Sequence, residues 1–463
     1  MRVALFIPAA FLAASAAARL LIVHHPASVD ADLAQPLAVV TYWKAFGGML
    51  FAFLAAGMAA GSAAYAAVLR SAALSVRNTA LICALSCAAA LSFPVVFSSD
   101  VYAYAGYGDM ALHGVNPYAH MVVQHGDALL RAVIWQWGNP PPVCVYGEMF
   151  VRIAEAIVAA TLPLGTAAPL WALRLLSCAA LVACAPLARA AFAPLGKRGA
   201  ASAAIGIALN PVAIVSAAAG HNDALALAAV LAAFGAAAGS SWPLASAAMT
   251  LGALIKAPAF AAAAGMAFFS QRDAAWRRSI AVAAAATFLA LAASLPLLHG
   301  VRDHVLAHAR FAPQFSLSAL LASIVPAQTA VWIVLAGCGL GAIAGTARLL
   351  RGDPQGAAVA AAALWLAIPN PHPWYGLWLL PAAFLARSGL LRWSLVAASL
   401  AVALRDWPDA TWRAFPAAAA IAIACAQFVP ALVALTACTR DLVRPGRRAF
   451  RTMVLGFAPL RSR

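Results

Sequence analysis

The chain has 463 residues, of which 65% are hydrophobic and 10% are charged, and its formal net charge is +16. Soluble proteins carry about 25% charged residues, so this composition excludes an ordinary soluble globule and predicts a protein of the bilayer. The charge comes almost wholly from arginines at the ends of apolar runs, a pattern typical of membrane topology that needs no nucleic-acid partner. The eight cysteines form no CxxC pair, which argues against a zinc site or a disulfide framework.

The apolar runs predict an all-α, polytopic transmembrane bundle. A crossing helix needs about 20 apolar residues, and by that measure we count about fourteen spans, several of them short. The runs lie near residues 3–23, 45–69, 79–97, 168–189, 200–217, 222–238, 242–255, 257–271, 279–297, 318–347, 355–369, 374–387, 390–404 and 414–438. Four regions follow: N-terminal spans (1–97), an external loop with an interfacial helix (98–167), a transmembrane bundle with short external loops (168–438) and a basic cytoplasmic tail (439–463).

The basic residues orient these spans. A cytoplasmic N-terminus places the Arg-rich connectors on one side, as the positive-inside rule requires, together with the C-terminal tail. Both termini are then cytoplasmic, and the polar loops collect on the external face. This arrangement requires residues 146–164 to lie along the membrane surface. Arg152 and Glu155, three apart on one helical face, favour such an interfacial helix.

A polar run that begins at Ser98 is the first candidate site, because it follows directly on a membrane-grade apolar stretch. Asp100 could act as a general base on an acceptor hydroxyl, or cap the next helix. Asp109 could orient an acceptor or hold the loop together. The tyrosines of this region either stack on sugar faces or belong to the interfacial aromatic belt. They are Tyr102, Tyr104, Tyr118 and Tyr146, and Asn116 between them marks a turn.

Three later polar groups join the predicted external site. The turn of His221, Asn222 and Asp223 could contact substrate or start a helix. Lys256 is a lone ammonium in an apolar run, so it needs an anion such as a phosphate or a route to water. His372, Trp374 and Tyr375 suit either substrate contact or interface anchoring.

These motifs, in this order, resemble those of the polyprenol-phosphate-dependent glycosyltransferases of the GT-C superfamily, and within it the bacterial α-1,6-mannopyranosyltransferase-like membrane proteins. The motifs are Asp-Val-Tyr-x-Tyr-x-x-x-Gly from Asp100, Gly-Val-Asn-Pro-Tyr to Tyr118, Tyr146-Gly147, His-Asn-Asp-Ala-Leu from His221, Leu-Ile-Lys-Ala-Pro around Lys256 and His-Pro-Trp-Tyr from His372. The resemblance implies an inverting enzyme with Asp100 as the base. Lys256 and His372 would approach the donor phosphate or sugar, and the turn at His221 would line the cavity.

The chain departs from that pattern in two places. Relatives usually read Tyr-Gly-Pro where this chain has Tyr146-Gly147-Glu148, and many have an arginine where it has Asp109. The additional negative charge would suit a divalent cation, but the sequence does not require one, and we predict no metal ligands and no required cofactor.

The resulting hypothesis is an integral-membrane hexosyltransferase that uses a polyprenyl-phosphate sugar, expected to be mannose, and a glycan or lipid acceptor. Such an enzyme would lie among the lipids of the bacterial inner membrane, with its site facing the periplasm or outside. The alternatives are a transporter or flippase of lipid-linked sugars and an O-antigen polymerase or ligase. A transporter should show related halves and polar groups at mid-membrane, whereas the polar groups here collect at one face.

Overall fold

The computed structural model describes residues 1–24, 36–95, 98, 100–120, 143–262, 313–351, 353–386 and 388–406, and isolated residues between 421 and 436. Across these ranges all regular structure is helical, as predicted. The first ten α-helices are α1 (Phe6–His24), α2 (Pro36–Ser71), α3 (Val76–Leu91), α4 (Asp100–Leu112), α5 (Glu148–Thr161), α6 (Ala167–Ala191), α7 (Gly196–Ala208), α8 (Pro211–Ala218), α9 (Asp223–Ala238) and α10 (Trp242–Ile255). The other five are α11 (Leu317–Leu321), α12 (Ala327–Leu350), α13 (Gln355–Leu366), α14 (Leu379–Leu385) and α15 (Gly389–Ala401).

Short 3-10 segments complete the described secondary structure. They are Arg2–Leu5, Leu162–Leu164, Ala193–Leu195, Ala257–Ala262, Pro373–Trp378 and Val402–Arg405.

Four described helices are long and apolar enough to cross a membrane, namely Arg2–Ile22, Gly48–Ser71, Ala167–Ala191 and Ala327–Leu349. The pair Ala193–Ala208 and Pro211–Ala218, bent by 44°, would make a fifth if it is one broken span. These five agree with predicted runs, so the chain is a helical membrane protein. The bend has a local cause, because Pro211 cannot donate an amide hydrogen and Asn210 Oδ1 caps the new helix at Val212 N and Ala213 N.

The remaining predicted runs are shorter as helices or fall outside the described residues. Helices α3, α9, α10 and α13 are apolar but have 10–17 residues. Run 374–387 is not one continuous helix, since a 3-10 segment precedes the seven residues of α14. Run 279–297, and most of 257–271 and 414–438, lie outside the described residues. The total of fourteen spans therefore stays a prediction.

Helices α4 and α5 pack against each other. Gly108 permits this close crossing, because a Cβ there would lie 2.6 Å from the backbone carbon of Ala154. Helix α5 buries Phe150 and Ala154 on one face and exposes Arg152 on the other, where Arg152 pairs with Glu155 at 2.8 Å. This is the amphipathic helix that the sequence predicts. Its position along a membrane surface stays a prediction.

Candidate active site

Asp100 lies at the centre of a buried polar cluster, where the first turn of α4 meets the start of α9. Its carboxylate is 1% exposed. Oδ2 accepts hydrogen bonds from Tyr146 Oη at 3.2 Å and Tyr104 Oη at 3.3 Å, and it lies 3.4 Å from His221 Nδ1. The His221 contact has the distance of an ion pair but not the geometry of a hydrogen bond. Oδ1 is buried and has no hydrogen-bond partner among the described residues.

The surroundings of Asp100 keep it ionised. Burial alone raises the pKa of Asp100, but the His221 imidazole and the Lys256 ammonium lower it, and the result lies below the ordinary carboxyl value. Burial, together with the nearby carboxylate, raises the pKa of Tyr104 and Tyr146 well above the ordinary phenol value. Both hydroxyls therefore remain protonated and act as donors. The cluster presents a carboxylate with one oxygen held by two phenols and the other available.

Three aromatic rings stack beside this carboxylate. The His221 and Trp374 rings are 3.8 Å apart at 22°, and the Trp374 and His372 rings are 4.6 Å apart at 7°. Tyr375 meets both His372 and Trp374 edge to face. His221 reaches Asp100 because Gly220 precedes it at φ +93°, a conformation that favours glycine. The structure thus brings His221, His372, Trp374 and Tyr375 together with Asp100.

Lys256 forms a buried ion pair with Asp223. Its Nζ lies 2.6 Å from Asp223 Oδ2, and the other Asp223 oxygen accepts from Trp378 Nε1 at 2.8 Å. The ammonium also lies 5.5 Å from the ring centre of Tyr146 and 5.6 Å from that of Tyr375. This buried pair ties the end of α10 to the start of α9 and to the 3-10 segment that follows His372. A phosphate contact of Lys256 stays a prediction.

The Tyr146-Gly147 segment is held by close contact with α10. Gly147 N donates to Ile255 O at 3.2 Å, and a Cβ at Gly147 would overlap the Leu254 carbonyl. Tyr118 Oη donates to the Tyr146 carbonyl at 2.9 Å. These contacts place the Tyr146 ring between Asp100 and Lys256.

The other predicted residues have contacts with groups other than the Asp100 carboxylate. Asn222 contacts the cluster through Tyr104 Oη, 3.4 Å from its Oδ1. Asn116 Oδ1 accepts from Tyr118 N at 2.9 Å, so both residues shape the loop that carries Tyr146. Asp109 lies nine residues along α4 from Asp100, on the opposite side of the helix, and its Oδ1 is 3.4 Å from His113 Nδ1.

Tyr102 was predicted as a site residue and Trp378 was not, and the structure differs from the prediction at both positions. Tyr102 is buried on α4 and faces away from Asp100, because two residues of a helix differ by about 200° in direction. Trp378 was missed by sequence reasoning. A usable signal was present, since Trp378 follows Trp374 by four residues in the same aromatic run.

The charge that suggested a divalent cation has local partners. Glu148 Oε1 lies 3.7 Å from Arg152, and Asp109 pairs with His113. Within the described part of the chain, no group of three or more His, Cys, Asp or Glu side chains is placed to hold a metal ion.

The helical fold and this enclosed carboxylate, phenol and imidazole cluster define a membrane protein with a buried polar site between α4, the start of α9 and the aromatic segment at 372–378. Residues 4–272, more than half of the chain, match the family described as Alpha-(1->6)-mannopyranosyltransferase, N-terminal domain, and the chain belongs to that family. It is accordingly a membrane glycosyltransferase of the mannosyltransferase type. No curated protein and no solved structure matches the chain. The matched residues include Asp100, Tyr146, Asp223 and Lys256 but not the aromatic segment at 372–378.

Proposed function

We propose that the protein transfers a hexose, expected to be mannose, from a polyprenyl-phosphate sugar to a glycan or lipid acceptor, with inversion at the anomeric carbon. The observation that carries this proposal is the free Oδ1 of Asp100. A buried, ionised carboxylate with one oxygen anchored and the other without a partner among the described residues is suited to accept a proton from a bound hydroxyl.

The reaction needs only one such base. The acceptor oxygen forms a bond to the anomeric carbon while its proton passes to Asp100. The bond between that carbon and the phosphate oxygen breaks, and the electron pair leaves with the phosphate. Because phosphate leaves as a stabilised anion, it requires no second carboxyl group to protonate it, in contrast to the alcohol leaving group in hydrolysis of an ordinary glycoside.

The aromatic stack supports a sugar substrate. Trp374 and His372 present nearly parallel rings, and Tyr375 meets them edge to face, so apolar surface and polar groups lie together beside Asp100. Trp374 is itself buried against two imidazole rings, so a pyranose would stack on the partly exposed His372 or Tyr375, where its hydroxyls find polar partners. We place the enzyme in the bacterial inner membrane, with this site on the periplasmic or external face and both termini in the cytoplasm.

The test compares Asp100→Asn with Asp109→Asn, a matched change on the opposite side of the same helix. Membranes with equal amounts of each protein receive a panel of synthetic polyprenyl-phosphate hexoses and an acceptor extract. We expect Asp100→Asn to lose transfer by about 10²-fold to 10⁴-fold, the typical contribution of a general base, and Asp109→Asn to stay close to wild type.

Two results would contradict the proposal. Equal transfer by wild type and Asp100→Asn would remove Asp100 from catalysis. Absence of transfer from every donor, together with movement of the donor across proteoliposome membranes, would assign the chain to transport of lipid-linked sugars.

A further inference from the structure

Arg174 is a buried cation in the membrane-spanning helix α6. The residue is 5% exposed. Its Nε donates to Ala218 O at 2.6 Å, and its Nη2 donates to Leu91 O at 2.9 Å and Phe93 O at 3.4 Å. These carbonyls lie at or just beyond the C-terminal ends of α8 and α3, where the helix dipoles are negative and offset part of the charge.

The guanidinium group retains unused donors. Of its five N–H groups, Nε–H and the two on Nη2 reach those carbonyls, so the two on Nη1 have no hydrogen-bond partner among the described residues. The guanidinium carbon also lies 4.5 Å from the centre of the Trp171 ring. No described carboxylate forms an ion pair with Arg174 either. A buried charge without a counter-ion is costly, and an anion that reached Nη1 would be bound strongly.

A second arginine lies at the same place. Arg19 on α1 is exposed, and its Nε donates to Ser92 O at 2.8 Å. The two guanidinium groups therefore hold the carbonyls of three consecutive residues at the end of α3. Arg19 has no acidic partner among the described residues. Among the described residues these two neighbouring cations, one exposed and one buried, have no acidic partner, so together they would attract an anion.

A cavity of about 40 Å³ adjoins Arg174. A water molecule requires about 10–15 Å³ on this measure, so the cavity has room for roughly three water-sized groups, enough for a head group but not for a chain. Apart from Arg174, Ser15 and Ser98, its walls are apolar side chains of α1, α2 and α8 and of the end of α3 with the segment that follows it. A small anionic group attached to a hydrocarbon would suit both the charge and the walls.

The cavity lies beside the start of α4, the helix that carries Asp100. Ser98 lines it, and Ser98 Oγ accepts from Asp100 N at 3.2 Å. Gly220, which precedes His221, lies between Val101 and the Arg174 side chain, because a Cβ there would be 2.8 Å from Val101 Cγ2 and 3.2 Å from Arg174 Cγ. The cavity therefore adjoins the backbone turn that carries Asp100, and the Arg174 side chain packs against the turn that carries His221.

We propose that Arg174 and Arg19 bind the phosphate of the polyprenyl-phosphate donor, with the phosphate in this cavity, the carbon bonded to it against the apolar wall of α1 and α8, and the rest of the polyprenyl chain outside. This inference rests on the proposed function. It assigns the phosphate to this arginine pair because the Lys256 ammonium is already neutralised by Asp223.

The experiment measures binding without transfer. The full-length chain in nanodiscs is titrated with a radiolabelled polyprenyl phosphate that carries no sugar, for wild type, Arg174→Gln, Arg19→Gln and the control Arg348→Gln, whose arginine is paired with Asp353. We expect Kd to rise at least about tenfold in Arg174→Gln, since hydrogen bonds between charged groups are lost, and by a smaller factor in Arg19→Gln. Arg348→Gln should bind like wild type. Arg19 is exposed, so its variant tests the proposal even if Arg174→Gln fails to fold.

The competitors distinguish the sources of a phosphate group. Polyprenol without phosphate, inorganic phosphate and phosphatidylglycerol should each compete poorly. The proposal is overturned if wild type and Arg19→Gln bind alike, or if any of these three competes as well as polyprenyl phosphate. If wild type transfers sugar but Arg174→Gln and Arg19→Gln bind polyprenyl phosphate as tightly as wild type, the proposed function stands and this inference is wrong. If binding of polyprenyl phosphate depends on the two arginines but wild type transfers no sugar, this inference stands and the proposed function is wrong.

Discussion

The two oxygens of Asp100 have different surroundings. Tyr104 and Tyr146 hold Oδ2, whereas Oδ1 is buried without a partner among the described residues. Two phenols on one oxygen restrict rotation of the carboxylate, so the free oxygen points in one direction. Pre-organisation of this kind is what a base requires to meet a hydroxyl at a fixed place in the transition state.

His372 should make the protein sensitive to acid. Burial, together with the charge of Arg405, lowers the pKa of His372 to about 3, while an unfolded histidine titrates near 6.5. Between these values the unfolded chain carries a proton that the folded chain lacks, so stability falls as pH falls through that window. From pH 7 to pH 5 this one group removes at most about 2 kcal/mol of unfolding free energy. Asp100, whose pKa is lowered below its ordinary value, does not titrate there.

Thermal unfolding in detergent at pH 7 and pH 5 checks this prediction. His372→Gln should lose less stability on acidification than wild type. His113→Gln, a change at an exposed histidine, should lose as much as wild type. An equal loss in wild type and His372→Gln would show that His372 titrates normally in the fold.

Single polar residues show how far sequence reasoning reaches at this scale. A lone ionisable group in an apolar run indicates function, and that rule selected Lys256. It did not reveal that Asp223, 33 residues away, supplies the anion, because the local sequence does not show which helices come into contact. Applied to α6, the same rule would also have selected Arg174. Asp109 was grouped with Asp100 by its proximity in the chain, but the helical period places it on the opposite side.

The segment that carries Tyr146 depends on one glycine. The Gly147 backbone lies so close to the end of α10 that any side chain would overlap the Leu254 carbonyl. We expect Gly147→Ala to move the segment away from α10, separate Tyr146 from Asp100 and Lys256, and cost about 1–3 kcal/mol of stability, as overpacking does. Transfer should fall with it.

Gly389→Ala is the matched control, since a Cβ at that first residue of α15 meets nothing within 4 Å. It should be neutral or slightly stabilising. Thermal unfolding and transfer are measured for both variants. Wild-type behaviour of Gly147→Ala would mean that the segment does not pack on α10 as described.

Helix positions were predictable where apolar runs are long, as for α1, α2, α6 and α12. Short elements were not, because a run such as 374–387 has the hydropathy of a span while Pro373 and the aromatic residues favour a 3-10 segment before α14. Motif order placed Tyr146-Gly147 near the site. The reason for the glycine is a contact with another helix, which only the structure provides.

The loop region that follows Asp100 and the basic connector at the start of α7 should lie on opposite sides of the membrane. Helix α6 has 25 residues and is about 37 Å long, which is enough to cross a hydrocarbon core of about 30 Å. It would connect the level of α4 and α5 with the basic residues in the first turn of α7. In a background with Cys425 and Cys438 replaced by Ala, we expect His113→Cys to react with an impermeant maleimide in intact spheroplasts. Lys197→Cys should react only after lysis.

The background suits this test because the other described cysteines are buried. Arg70→Cys is a second probe for the basic side and should behave like Lys197→Cys. Reaction of His113→Cys and Lys197→Cys from the same side would refute the proposed sidedness and, with it, the external position of Asp100.

The hydrogen bond from Trp378 to Asp223 spans 155 residues of sequence, whereas Lys256 lies 33 residues from the same carboxylate. At roughly 5–20 residues per second, a ribosome makes Lys256 about 2–7 s after Asp223 but Trp378 only about 8–30 s after it. The ion pair can therefore form while the chain is still being inserted. The aromatic wall beside Asp100 closes only after Trp378 has been made, so a nascent chain gains this side of the site later than the ion pair.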